Sequence, residues 1–182
     1  MLGENFSQTL AAARTGAEWA WGSIYHDLAA AVLGYLRASR AVDAEDLSGE
    51  VFLQVVRDLR RFEGGEKEFR AWVFTIAHHR LVDNRRRRGR RPEEPLVRVI
   101  AEKQGGDVED EALANVGALR VREVIDSLVP DQRQVLLLRI LGGLTVGEVA
   151  AALGKSPGAV KALQRRGLAA IERQLAEEGV TV

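Results

Sequence analysis

Apolar residues return every three or four positions along most of the chain. Ile24, Leu28, Val32 and Leu36 make one stripe, Leu47, Val51, Val55 and Leu59 a second, and Phe69, Trp72, Val73 and Ile76 a third. That spacing lines up one face of an α-helix, and no stretch alternates cleanly at period two. The pattern predicts an all-α protein. Asp43, followed by Glu45 and Asp46, reads as a helix start, because a carboxylate there accepts orphan amide hydrogens and sits at the positive end of the helix dipole. This helix is expected to run to about Arg60. Gly64 and Gly65 then interrupt the pattern, placing a short loop over 64–67 before Phe69 resumes it.

Beyond Arg91 the character changes. Pro92 and Pro95 oppose continued helix, and the acidic, glycine-containing stretch 102–112 carries no core-forming stripe. A flexible acidic linker is expected at 92–112. Helical periodicity returns with Leu119, Val121, Val124, Ile125 and Leu128 and persists to Leu175. The expected layout is two small helical domains, 1–91 and 113–182, on a tether.

The segment 144–166, LTVGEVAAALGKSPGAVKALQRR, can be read residue by residue. Thr145 caps a short helix whose inward face is Val146, Val149, Ala150 and Leu153, and Gly154 ends it. Ser156 caps a second helix with Pro157 at its first position, where the missing amide hydrogen costs nothing. Val160, Leu163, Leu168 and Ile171 are expected on its buried side. The pattern is that of a helix-turn-helix, whose second helix enters a DNA major groove flanked by cations that grip phosphate. Read without DNA, the same segment is a helical hairpin in a bundle.

Charge sharpens this picture. The 182 residues hold 26 basic and 26 acidic side chains, so an electrostatic partner must be drawn by local patches. Residues 80–91 carry seven arginines against one aspartate, while 102–111 carry one lysine against five acids. The arginine cluster is suited to a DNA backbone, where affinity comes from counterion release; otherwise it is a solvated helix end. The chain has no cysteine, which excludes disulfides and thiolate chemistry and fits a reducing cytoplasm. No leader or membrane span is expected from the sequence. His78 and His79 point about 100° apart on a helix, a poor arrangement for one metal. No nucleophile–base arrangement, nucleotide loop, metal site or cofactor motif emerges. Trp19 and Trp21, two apart, cannot share one helix face, so at least one is a candidate for exposure.

Several segments together resemble a known family. VREVIDSLVPDQRQVLLLRILGGLTVGEVAAALG is similar to the C-terminal promoter-binding domain of bacterial sigma factors. DAEDLSGEVFLQVVRDL resembles the helix by which they grip the polymerase clamp, and FRAWVFTIAHHRLVDNRRRRGRR the helix and basic tail that engage the melted promoter element. The opening AAARTGAEWAWGSIYHDLAAAVLGYLR has the family's short helix, glycine turn and longer helix. The order and the lack of room for a middle domain resemble the small extracytoplasmic-function (ECF, group IV) sigma factors of the sigma-70 family.

That resemblance implies a non-enzymatic initiation subunit that binds core RNA polymerase through clamp and flap, directs it to promoter DNA, and is held inactive by an anti-sigma partner. It implies clamp contacts at Asp43, Glu45, Asp46, Leu47, Glu50, Val51 and Gln54. It implies minus-ten contacts at Gly64, Gly65, Lys67, Phe69, Arg70, Trp72, His79, Arg80, Asn84, Arg85, Arg86, Arg87 and Arg88, with Glu63, Glu66 and Glu68 nearby as acceptors for base amino groups. It implies minus-thirty-five contacts at Thr145, Ser156, Pro157, Gly158, Ala159, Lys161, Ala162, Gln164, Arg165 and Arg166. Gly49 departs from the family pattern and costs about 1 kcal/mol against alanine inside a helix. Two other readings remain open from the residues: a helix-turn-helix regulator that never joins polymerase, and a helical adaptor whose basic tail binds RNA nonspecifically.

Overall fold

The computed structural model describes residues 2–89 and 121–177; Arg90, Arg91, Leu119 and the expected linker at 92–112 lie outside them. The first half holds α1 (Phe6–Arg14), α2 (Glu18–Ala38), α3 (Ala44–Asp58) and α4 (Glu66–Gly89), with short 3-10 turns at Gly3–Asn5 and Leu59–Arg61. The second half holds a helical stretch at 121–127 (α5), then α6 (Pro130–Ile140), α7 (Val146–Leu153) and α8 (Pro157–Glu177). No strand occurs among the described residues, as the periodicity predicts.

The three stripes of the first half meet in one core. Ile24, Val32, Leu36, Val51, Val55, Leu59, Val73 and Phe74 are all essentially closed to solvent. Phe62 and Phe69 stack edge to face at 5.1 Å, and Trp72 lies 5.1 Å from Phe62, closing the core beneath the loop before α4. Trp19 is exposed, while Trp21 packs partly against the core.

In the second half, Val135, Leu138, Leu144, Val149 and Val160 continue the same buried apolar cluster. Arg133 is buried, yet its guanidinium donates to the carbonyls of Ile125, Asp126 and Leu128 at 2.9–3.1 Å and so caps the end of α5. Leu168 departs from expectation: it is exposed, and the buried position is its neighbour Gly167. A Cβ on Gly167 would lie 2.8 Å from a methyl of Leu136, so only glycine lets α8 approach α6 this closely.

The two halves touch. Arg70 donates to the Leu141 carbonyl at 2.6 Å with its guanidinium over the Phe74 ring, and Arg40 donates to the Asp126 carboxylate at 2.9 Å. Between them lies a buried polar cluster. The Tyr35 hydroxyl on α2 donates to Gln134 Oε1 on α6 at 2.8 Å and sits 2.9 Å from His78 Nδ1 on α4. A phenol has one proton, and Gln134 Oε1 only accepts, so the hydroxyl must accept from His78, which fixes the hydrogen on Nδ1. Burial raises the Tyr35 hydroxyl well above the usual phenol range. Burial first, then the adjacent His79 and Arg85, pushes His78 down to about 4, against the opposing effect of the hydrogen bond it makes to Gln134.

Candidate nucleic-acid interface

The helix-turn-helix forms through the local chemistry of its caps. Thr145 Oγ1 accepts from the Glu148 amide at 3.2 Å while Glu148 accepts from the Thr145 amide at 2.6 Å, a reciprocal pair satisfying two orphan donors. Gly154 ends α7 in the left-handed region at φ 61°, where a side chain is strained. Ser156 Oγ accepts from the Ala159 amide at 3.2 Å and Pro157 opens α8. Lys155 ion-pairs with Asp131 at 2.8 Å, fastening the turn to α6. Val160 is buried, whereas Ser156, Pro157, Gly158, Lys161, Arg165 and Arg166 are exposed and Ala159, Ala162 and Gln164 half-buried. Lys161 and Arg165, one turn apart, pair with no acid among the described residues. Arg166 lies back on the Ala162 carbonyl at 3.3 Å.

The second candidate surface surrounds the start of α4. Gly64 has φ 144°, and a Cβ there would meet Glu68 at 2.9 Å, so the turn requires glycine. Glu68 caps α4 by accepting from the Gly65 amide at 3.0 Å, and Glu66 accepts from the Gly3 amide at 3.1 Å. Those two acids therefore have structural partners; Glu63 and Lys67 are exposed. Phe69 is buried in the core, Trp72 is half-buried beside Phe62, and Arg70 turns to the second half of the chain. Further along α4, His79 and Arg86 are exposed and Asn84 half-buried.

The remaining arginines of α4 fold back on the neighbouring elements. Arg88 ion-pairs with Asp43, Arg87 and Arg80 lie 3.6 and 3.7 Å from the Glu50 carboxylate, Arg80 donates to Gln54 Oε1 at 2.7 Å, and Arg85 donates to the Ser39 carbonyl. Asp43 thus differs from its expected role: its side chain makes no cap bond to α3 and pairs with Arg88 instead. Two groups proposed for separate partners, acids on α3 and arginines on α4, face each other.

On α3, Leu47 and Val51 are buried and set the helix on its core, while Glu45 and Asp46 are exposed. The Arg37 guanidinium bonded to Glu45 holds that carboxyl below its usual range. The outward face also shows Leu53 at 57% and Val56 at 48% exposure, followed by exposed Arg57, Arg60 and Arg61. The sequence reading passed over these five; the run VFLQVV held the signal, since a helix cannot turn all its apolar residues inward. No helix among the described residues is long and apolar enough to cross a membrane, and no group of three acidic or histidine side chains there is placed to hold a metal.

Two family models match the chain: Sigma-70 region 2 over residues 23–91, and Sigma-70, region 4 over residues 118–171. ShbA of Streptomyces griseus, named an ECF RNA polymerase sigma factor, is 36% identical over 138 residues, which span 74% of this chain and 72% of ShbA. BldN of Streptomyces coelicolor, named likewise, is 30% identical over 169 residues, covering 91% of this chain and 64% of BldN. The solved structure of the sigma factor RpoE in complex with the anti-sigma factor NepR from Bartonella quintana shares the fold. Its TM-score is 0.63 at 20% identity, over 85% of this chain and 96% of that one.

Proposed function

The chain belongs to the ECF sigma factors of the sigma-70 family, and from that premise we propose that it is an alternative sigma factor that delivers core RNA polymerase to particular promoters. It makes and breaks no covalent bond itself and works in the cytoplasm beside the polymerase. The outward face of α3, acidic at Asp46, apolar at Leu53 and Val56 and basic from Arg57 onward, docks on the clamp. The loop at 62–65 and the start of α4 hold the opened minus-ten strand, with bases stacking against the half-buried Trp72. The arginines of α4 hold backbone phosphate. Helix α8 enters the duplex major groove at the minus-thirty-five element, its amide-rich start leading and Lys161 and Arg165 on phosphate or guanine. An anti-sigma protein competes for the clamp face and holds the factor idle.

The observation that supports this most is the α7–α8 pair, capped at Thr145, Gly154 and Ser156, with Lys161 and Arg165 outward and facing no acid among the described residues, in the same chain as the amphipathic α3 face. The test is reconstitution with core polymerase, followed by run-off transcription on a promoter library. A stable holoenzyme that starts at defined sites, lost on Leu53→Asp, is the expected result. Duplex binding without holoenzyme formation would instead indicate a regulator acting outside polymerase.

A further inference from the structure

Among the arginines of α4, only Arg86 lacks a partner among the described residues; Arg80, Arg85, Arg87 and Arg88 are engaged within the chain. Three of those four engage Asp43, Glu50 or Gln54, residues on the side of α3 and its start that were assigned to the polymerase. The side chains are partly open to water, Asp43 and Glu50 at 48% and 42% and Arg88, Arg87 and Arg80 at 40%, 61% and 28%, but Glu50 Oε2 itself is closed to solvent and accepts no hydrogen bond, its two arginines standing off at 3.6 and 3.7 Å. Ion pairs between side chains this exposed are weak, and a carboxylate oxygen that accepts no hydrogen bond from its own arginines gains from another cationic donor. The arrangement is neither a helix cap nor a core contact. It joins two surfaces whose partners carry opposite charge, a basic protein face for the acids and nucleic-acid phosphate for the arginines.

We propose that Asp43 and Glu50 are built-in counter-ions that mask the α4 arginines in the free chain, so that a basic protein surface docking on α3 releases Arg80, Arg87 and Arg88 to DNA phosphate. This rests on the sigma-factor reading and deepens it: the clamp face and the strand-holding face share one set of charges. Each acid serves either the chain's own arginines or the partner. Docking therefore raises affinity for DNA and, by linkage, DNA raises affinity for the docking partner. The free factor keeps three of these arginines paired with its own side chains, which limits stray binding to nucleic acid before assembly.

The test uses the full chain without polymerase and a mixed-sequence single-stranded DNA oligonucleotide, titrated over a range of salt. Glu50→Gln frees Arg87 and leaves Arg80 held by Gln54 alone, and Asp43→Asn frees Arg88. Each is expected to tighten oligonucleotide binding by about three- to tenfold at low salt and to steepen the log–log salt slope by about 0.7 per released arginine. Asp46→Asn is the control, since it removes the same charge from the same helix without touching a paired arginine. On an Arg80→Gln, Arg87→Gln background, Glu50→Gln is expected to gain nothing. Unchanged affinity and slope in Glu50→Gln and Asp43→Asn, or an equal gain in Asp46→Asn, overturns the masking. Promoter-directed initiation by wild-type holoenzyme is a separate readout: it can succeed while masking fails, or fail while masking stands.

Discussion

Substituting His78 tests the polar cluster that joins the two halves. The side chain is 7% exposed and, through burial first, titrates near 4 in the folded chain against an ordinary 6.5. The unfolded chain therefore binds more protons between those values, and stability present above pH 6.5 is lost as pH falls toward 4. At pH 5 the unfolded imidazole is almost fully charged and the folded one almost wholly neutral, a gap of about 1.5 pKa units or about 2 kcal/mol. Below pH 4 the loss levels off, because both states are then protonated. The added proton must enter on Nε2, since Nδ1 already donates to Tyr35. The charged groups of α4 itself, His79 and Arg85, oppose it, while from α6 Gln134 and from α2 Tyr35 offer only neutral dipoles. In His78→Gln, an amide donor can still face the Tyr35 hydroxyl, but nothing titrates. Urea titrations of wild type and His78→Gln at pH 7 and pH 5 should show wild type losing about 2 kcal/mol more than the variant. An imidazole titration followed by NMR gives the same quantity directly. Equal losses in the two proteins, or an imidazole midpoint at the ordinary value, would refute the reasoning.

Two glycines separate open space from close packing. Gly49→Ala places its methyl where no atom lies within 4 Å and should raise stability by about 0.5–1 kcal/mol in denaturant unfolding, whereas Gly167→Ala drives a Cβ into Leu136 and should lower it by about 1–3 kcal/mol. Thr145→Ala removes the reciprocal cap of α7 and should cost about 1 kcal/mol, read as a lower unfolding midpoint with unchanged m-value. Lys161→Ala and Arg165→Ala should each weaken duplex binding and reduce the salt slope by about one, and loss of discrimination between sequences would mark whichever side chain reaches a base edge.

Much of this fold was legible because its causes are local. A 3.6-residue period decides which face of α2, α3 and α4 turns inward, and the Thr145, Gly154, Ser156 and Pro157 sites act within one turn of themselves. Where a distant residue decides, local signals mislead. Asp43 has the right type and place to cap α3, yet Arg88, 45 positions on, takes its carboxylate. Leu168 looks like a core residue, but its neighbour Gly167 is what lets α8 close on α6, and hydropathy gives a glycine no such weight. Tyr35, His78 and Gln134 are separated by 43 and 99 positions, and nothing in their immediate sequence marks them as partners.

Under the proposed function the polar contacts at the edge of the apolar cluster shared by the two halves acquire a role. Were the halves to part on DNA, Arg70 would leave the Leu141 carbonyl and Arg40 would leave Asp126; both are charged groups that water or phosphate can satisfy at once. Tyr35 and Gln134 are different, because their bond is buried and its loss is made good only as water enters. Opening is then resisted by one neutral hydrogen-bonded cluster and by the buried apolar cluster that runs through both halves, while the charged contacts exchange partners. The same logic governs the arginines on Asp43 and Glu50. Partners of matching charge replace these exposed internal contacts, whereas the buried apolar cluster shared by the two halves is what any separation of them must open.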